Sequence, residues 1–167
     1  MKLIEVSARG TLKFRGNTYS CALGRCGVTK NKHEGDGATP VGDFPLRSAL
    51  FRPDRIERPT TMLPLRALKS HDGWCDDPKN SQYNRIVSLP YPSSAEQLWR
   101  DDHIYDVIVV IGYNDDPPIS TRGSAIFLHA AHDSFTPTEG CVALAIDDLF
   151  EVLKDCDRNT VISIIEQ

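Results

Sequence analysis

Apolar residues in this chain fall in short runs, and glycine, proline and polar residues separate one run from the next. Alternation of apolar and polar residues over about four to eight positions is typical of a β-strand with one buried face. Runs of this kind predict strands at 1–9, 11–14, 18–23 and 41–51. The last of these follows a turn rich in glycine and proline at 35–40, a composition that favours a tight change of direction.

The second half of the chain has the strongest strand signals. Residues 107–111 are all apolar, which predicts a central strand buried on both faces. The run 123–129 ends in a histidine, and 160–165 predicts a closing strand. Two aspartates and two prolines at 115–118 break the chain between the first two runs, so we predict that these strands pair.

Two segments have helical patterns. In 147–154 the apolar residues share one helical face and acids occupy the first turn, as in a short amphipathic helix. In 93–100 a serine is followed by Glu96 or Gln97 at the spacing of a capping box. Together these patterns predict a mainly β, β-sandwich-like fold with two or three short helices, in a single domain spanning 1–167.

Charge and hydropathy exclude several classes of partner. The chain has 23 acids, 19 Lys and Arg residues and a formal net charge of −4, with no basic block. Such a surface argues against binding to nucleic acid or an anionic membrane. No run approaches the roughly eighteen apolar residues of a membrane span, and the N-terminus predicts a first strand and not a signal peptide. Nothing in the sequence indicates an oligomeric state.

Five cysteines at irregular spacing include no C-x-x-C pair. A Cys21–Cys26 disulfide fits an oxidising compartment, and a fully reduced protein fits the odd count at least as well. Five histidines offer potential metal ligands beside Cys75 and Cys141, but their spacing matches no structural zinc pattern. We therefore predict neither a metal nor a cofactor.

Gly140 and Cys141 stand at the head of an apolar run, twelve residues after His129. A thiolate is a strong nucleophile, and a nearby imidazole can take the thiol's proton. Gly140 allows a sharp turn that leaves its own N–H and that of Cys141 to stabilise an oxyanion. The competing interpretation is a buried structural cysteine and a core histidine. His129, at the end of a strand, is a better positioned base than His132 in the following loop.

Residues for substrate binding are less clearly marked. Tyr113 and Asn114 follow the central strand and are predicted near the site if that strand pairs with the histidine strand. Trp74 is a candidate cleft wall, and Thr138 lies in the turn before the nucleophile. An arginine is expected to clamp a substrate carboxylate, and Arg122 is one of four candidates with Arg52, Arg55 and Arg85.

Three segments in this order resemble the L,D-transpeptidase catalytic domain, also called the YkuD domain. They are Gly37-Ala38-Thr39-Pro40-Val41-Gly42-Asp43-Phe44, His129 after its apolar strand, and Thr138-Glu139-Gly140-Cys141-Val142. The resemblance implies a cysteine-dependent acyl transfer on peptidoglycan stem peptides through a thioester, with a backbone carbonyl holding the second imidazole nitrogen. It also implies carbapenem-type inhibitors as ligands. It further implies a location in the periplasm or cell envelope, whereas the missing signal peptide leaves a cytoplasmic one open.

This chain departs from the family pattern of Ser-His-Gly-Cys with an arginine two residues later. Thr138 and Glu139 stand in the Ser and His places, and Ala143 replaces the arginine. A carboxylate at Glu139 is expected to raise the pKa of the thiol unless it points away. Two alternatives therefore stay open: an L,D-carboxypeptidase or amidase that hydrolyses the same bond type, and a catalytically silent peptidoglycan-binding module.

Overall fold

The computed structural model describes residues 2–167, which form fourteen strands and one helix. In chain order the elements are β1 (Lys2–Ser7), β2 (Thr11–Phe14), β3 (Asn17–Ala22), β4 (Val28–Thr29), β5 (Thr39–Pro40), β6 (Gly42–Phe51), β7 (Leu65–Ala67), β8 (Asp72–Cys75), β9 (Ile86–Ser88), β10 (Ala95–Gln97), β11 (Val107–Ile111), β12 (Phe127–Ala130), β13 (Val142–Leu144), α1 (Ile146–Leu153) and β14 (Thr160–Ile165). The predicted mainly β fold class is confirmed.

Most strands belong to one nine-stranded sheet with the order β11-β12-β13-β3-β2-β1-β14-β6-β7. The long strand β6 pairs with β14 through its first half and with β11 through its second half. This second pairing joins β11, at one end of the strand order, to β6, the last strand but one at the other end. The predicted pairing of 107–111 with the histidine strand is confirmed, with Ile108 opposite His129.

The three strands β11, β12 and β13 are buried on both faces. Alternate residues from these strands, with Leu128 and Val142 as examples, join a large apolar core that also receives α1 and β14. The intervening residues, including Ile108 and Phe127, join a second core. Because side chains of a strand alternate between faces, β11 and β12 each contribute to two cores, and so does β13 together with the adjoining Cys141.

A separate three-stranded sheet, β10-β8-β9, contributes to the second core through Trp74. The helix predicted at 93–100 is wrong, because 95–97 forms strand β10 and pairs antiparallel with β8. The carboxylate of Glu96 does not cap a helix; it accepts a hydrogen bond from the hydroxyl of Tyr105. Pairing with a neighbouring strand therefore outweighs the local capping pattern.

The helix predicted at 147–154 is confirmed as α1, which buries Leu149, Val152 and Leu153. It is the one α-helix among residues 2–167, so the predicted count of two or three is too high. No helix in the described chain has the length and apolar character needed to cross a membrane.

Candidate active site

The parallel pairing of β12 and β13 brings the two predicted reactive residues to one face of the sheet. Leu128 is opposite Val142 and His129 is opposite Ala143 in this pair. Cys141, one residue before Val142, therefore lies beside Phe127, whose backbone N–H donates to its sulfur at 3.3 Å. Since residues two apart in a strand share a face, Cys141 and His129 are diagonal neighbours on the same face.

Both side chains line a cavity of about 410 Å³. Cys141 is 8% exposed and His129 is 4% exposed, so the two groups are sheltered from solvent. Residues from loops, from β10 and from β13 complete the lining: Lys32, Glu34, Gly35, Asp76, Glu96, Arg100, Ile104, Tyr105, Ser124, Ala125, Ile126, Ala131, His132, Thr136, Pro137, Thr138, Glu139 and Ala143.

The imidazole of His129 is held by the backbone. Its Nδ1 donates to the carbonyl oxygen of Ala130 at 2.7 Å, the kind of hydrogen bond that the family resemblance implied. The ring of Tyr105 packs edge-on against it, with centroids 5.2 Å apart. Burial lowers the pKa of His129 to about 4. The neutral ring therefore keeps a lone pair on Nε2, the nitrogen that a general base needs.

The thiol of Cys141 is protonated in this environment. Its sulfur donates to the carbonyl oxygen of Ala125 at 3.2 Å. Burial, with a smaller contribution from the negative charge of Glu96, raises the pKa of Cys141 to about 12. The structure thus favours a neutral thiol beside a neutral imidazole over the thiolate–imidazolium pair expected from the chemistry of exposed Cys–His sites.

The turn before the nucleophile is held by Thr138. Its hydroxyl accepts the N–H of Gly140 at 3.1 Å and donates to the carbonyl of Cys141 at 2.7 Å. Gly140 is therefore not a free oxyanion donor in this conformation, and Thr138, which also lines the cavity, supports the turn. The N–H of Cys141 donates to no acceptor within residues 2–167 and is the remaining candidate.

Close backbone packing explains the glycine before the cysteine. Gly140 has φ of 140°, and a Cβ there would lie 2.8 Å from the carbonyl oxygen of Ala38. Ala38 belongs to the segment 37–44 that carries part of the family resemblance. The adjoining Thr39 accepts the N–H of Gly24 at 2.9 Å. The segment thus packs against the turn before Cys141 and supports it.

Glu139 does not act on the thiol as its position in the sequence suggested. Its carboxylate pairs with Arg25 at 3.0 Å, and 79% of its side chain is exposed. Glu96, which is distant in sequence, is the acid whose charge raises the pKa of Cys141. Ala143 lines the cavity and leaves the space that a larger side chain at this position would fill.

The chain matches the family model of the L,D-transpeptidase catalytic domain (YkuD) over residues 2–164. It belongs to this family. No curated protein matches the chain.

Three solved structures are similar to this domain at low sequence identity. L,D-transpeptidase 1 of Mycobacterium tuberculosis is 13% identical, with a TM-score of 0.47 over 98% of this chain and 58% of that chain. L,D-transpeptidase 3 of the same organism, in complex with a faropenem-derived adduct, is 15% identical, with a TM-score of 0.46 over 99% and 60%. The helical cell shape determining protein Pgp2 of Campylobacter jejuni is 15% identical, with a TM-score of 0.42 over 99% and 47%. This domain spans at most about three fifths of the length of these three chains.

Four residues predicted to bind substrate do not line the cavity of this L,D-transpeptidase domain. They are Trp74, Tyr113, Asn114 and Arg122. Trp74 is buried against Phe127 and donates its indole N–H to Asn84. Tyr113 and Asn114 lie beyond the end of β11, and the hydroxyl of Tyr113 donates to the carbonyl of Arg122. Antiparallel pairing explains the error for these two residues. The end of β11 meets the start of β12, whereas the histidine is near the other end.

The candidate arginine clamps also lie elsewhere. Arg122 is exposed, and Arg52 and Arg55 form ion pairs with Asp54 and Asp106. None of the four predicted arginines is in the cavity lining, whereas Arg100 is.

Several cavity residues have no signature in the sequence. Tyr105 precedes β11. Because β11 and β12 are antiparallel, Tyr105 lies beside the end of β12 that carries His129, and this position follows only from the strand pairing. Lys32, Glu34, Asp76, Glu96 and Arg100 come from loops and from β10, and no local motif marks them. All five cysteines are free, so the disulfide alternative at Cys21 and Cys26 is not present. Within residues 2–167 no group of three His, Cys, Asp or Glu side chains is arranged to hold a metal ion.

Proposed function

We propose that this domain catalyses acyl transfer on peptidoglycan stem peptides, with Cys141 as nucleophile and His129 as base. One observation carries the proposal: the two residues share one face of adjacent parallel strands and line the same cavity. The hydrogen bond from Nδ1 of His129 to Ala130 supports it, because it directs the basic Nε2 away from the backbone.

The first step forms a thioester. Nε2 of His129 takes the thiol proton as the sulfur of Cys141 attacks the carbonyl carbon of the donor peptide. The N–H of Cys141 stabilises the oxyanion of the tetrahedral intermediate. The imidazolium of His129 then protonates the departing amine, which leaves as D-alanine from a stem tetrapeptide.

The second step decides the product. The side-chain amine of another stem peptide attacks the thioester and gives a cross-link, and His129 accepts the amine proton before the thiol is regenerated. Capture of the thioester by water gives an L,D-carboxypeptidase by the same chemistry. We propose transpeptidation as the main reaction because the family of the domain is that of L,D-transpeptidases.

The test is to incubate the protein with purified stem tetrapeptide and to follow the intact mass of the protein and the muropeptide products. We expect a mass increase at Cys141 and release of D-alanine, both lost in Cys141→Ala. His129→Gln should lower the rate by about 10²–10⁴, the usual contribution of a general base. The exposed Cys26 provides a matched control, and Cys26→Ser should behave as the wild type.

Each result discriminates among the candidate functions. Cross-linked dimers support transpeptidation, and trimmed tripeptides alone support hydrolysis. A peptide that binds equally well to the wild type and to Cys141→Ala, with no product, would indicate a binding module. An adduct with imipenem that persists in Cys141→Ala would exclude Cys141 as the nucleophile.

A further inference from the structure

The cavity that contains Cys141 has three carboxylates with no cationic partner. Glu34, Asp76 and Glu96 all line it. Within residues 2–167, none of them lies within 4.0 Å of a lysine, arginine or histidine nitrogen. Unpaired carboxylates in a sheltered site are costly, and proteins normally pair them.

The two cations of the same cavity are already engaged. Lys32 contacts Asp36 at 2.5 Å, and Arg100 contacts Asp102 at 2.6 Å. The lysine nitrogen also donates to the carbonyl of His33. The remaining acid of the lining is held by Arg25, as described above. Burial raises the pKa of Glu96, since no cation within 4.0 Å stabilises its carboxylate. The cavity therefore lacks positive charge at these three acids.

Asp76 gives an independent indication of a missing donor. Its Oδ1 is fully buried and has no hydrogen-bond partner among the described residues. A buried acceptor of this kind costs free energy comparable to a lost hydrogen bond, so such atoms are rare unless a ligand or ion satisfies them.

Glu34 and Glu96 are oriented by neutral hydroxyl groups. Oε2 of Glu34 accepts from the hydroxyls of Tyr83 and Ser124. Oε1 of Glu96 accepts from the hydroxyl of Tyr105. In both residues the other carboxylate oxygen accepts no hydrogen bond from residues 2–167. Hydroxyl donors fix the direction of a carboxylate without neutralising its charge.

We propose that Glu34, Asp76 and Glu96 form a subsite for a free ammonium group carried by the acyl-donor peptide. The proposal rests on the function proposed above, since it concerns the donor in that reaction. An ammonium group has three N–H donors and one positive charge, which suits three carboxylates that each keep an oxygen without a donor and have no cation within 4.0 Å.

This subsite also couples substrate binding to the reactivity of the nucleophile. Burial raises the pKa of Glu96, and its carboxylate, once ionised, disfavours the thiolate of Cys141. An ammonium group against Glu96 offsets that charge and stabilises the negative sulfur as the thiol loses its proton. A donor with a free amine is therefore bound and activates the thiol that attacks it.

The first experiment compares two donor peptides that differ only in a side-chain amine, free in one and acetylated in the other. In the wild type we expect kcat/KM to be about ten- to a hundredfold higher for the free amine, the range for a charge-assisted hydrogen bond. Asp76→Asn and Glu96→Gln should each reduce this preference. Glu57→Gln alters an exposed acid of a separate cavity and should retain it. Equal kcat/KM for the two peptides in the wild type would overturn the subsite and leave the proposed function intact.

The second experiment does not depend on peptide turnover. It measures alkylation of Cys141 by iodoacetamide, read from the mass of the peptide containing it, with and without methylammonium chloride. We expect methylammonium to accelerate alkylation of Cys141 in the wild type and to have no effect in Glu96→Gln. The exposed Cys26 reports any general effect of the salt. An unchanged rate at Cys141 in the wild type would overturn the subsite even if neither peptide acylates the protein.

Discussion

Burial sets the protonation state of the two residues that the proposed reaction uses. The pKa of Cys141 is raised to about 12 and that of His129 is lowered to about 4, in both cases mainly because burial disfavours the charged form. At neutral pH the pair holds a thiol and a neutral imidazole. Proton transfer must therefore accompany attack on the substrate, in contrast to sites where a thiolate exists beforehand.

The lowered pKa of His129 predicts a pH-dependent stability. Its folded value of about 4 lies below the ordinary 6.5, so between these values the unfolded chain binds more protons. The contribution is fully present above about pH 6.5 and is lost as the pH falls toward 4. Between pH 7 and pH 5 the wild type should lose about 2 kcal/mol more free energy of unfolding than His129→Gln. Urea unfolding of both proteins at the two pH values measures this, and equal losses would contradict it.

The packing of Gly140 against Ala38 predicts a severe effect of a single methyl group. Gly140→Ala combines a strained φ of 140° with a contact of 2.8 Å to a backbone oxygen. We expect a loss of about 1–3 kcal/mol in stability and slower acylation of Cys141, because the turn must shift. Gly16→Ala is the matched control: it has a positive φ, but nothing lies within 4 Å of its Cβ position. A similar loss of acylation in both variants would argue against the close approach as the cause.

At the scale of elements, the parallel pair β12 and β13 decides the geometry of the site. A loop of eleven residues, 131–141, separates the two strands, and their register sets Cys141 diagonally from His129. A shift of one residue in that register would turn the cysteine to the opposite face. The site therefore depends on strand pairing as much as on the identity of its two residues.

Strand β14 shows how an element can support stability without contributing to the site. Ile162 is fully buried in the large core, whereas its neighbour Val161 is half-buried. Ile162→Ala should cost about 2–5 kcal/mol, and Val161→Ala clearly less. Chemical denaturation measures both losses. Acylation of Cys141 by imipenem in the folded protein should proceed at the wild-type rate in both variants. A reduced rate in Ile162→Ala would show that β14 affects the cavity.

At the scale of the whole molecule, the two terminal strands are joined. β1 and β14 pair in parallel over six residue pairs, and β14 also pairs with β6. β14 therefore joins β1 to β6 within the main sheet. Contacts of this kind between distant parts of the chain make folding cooperative.

Truncation tests how far folding depends on β14. A chain that ends at Asn159 lacks β14 and should show no cooperative thermal unfolding and no acylation by imipenem. A chain that ends at Ile165 keeps β14 and loses an exposed ion pair between Lys30 and Glu166. Since exposed ion pairs contribute at most about 1 kcal/mol, this shorter truncation should remain folded. Circular dichroism on heating distinguishes the two. A cooperative transition in the Asn159 truncation would contradict this role of β14.

The sequence by itself determined the mainly β class, seven of the fourteen strands, the helix α1 and the candidate pair Cys141 and His129, since these depend on local alternation, helical spacing and residue chemistry. Only the tertiary structure decided that 95–97 is a strand, because its partner β8 is distant in sequence. The same holds for the acids of the cavity, with Glu96 near the thiol and Glu139 turned to Arg25. Charges act through space, and no local pattern encodes which loops a closed sheet brings together.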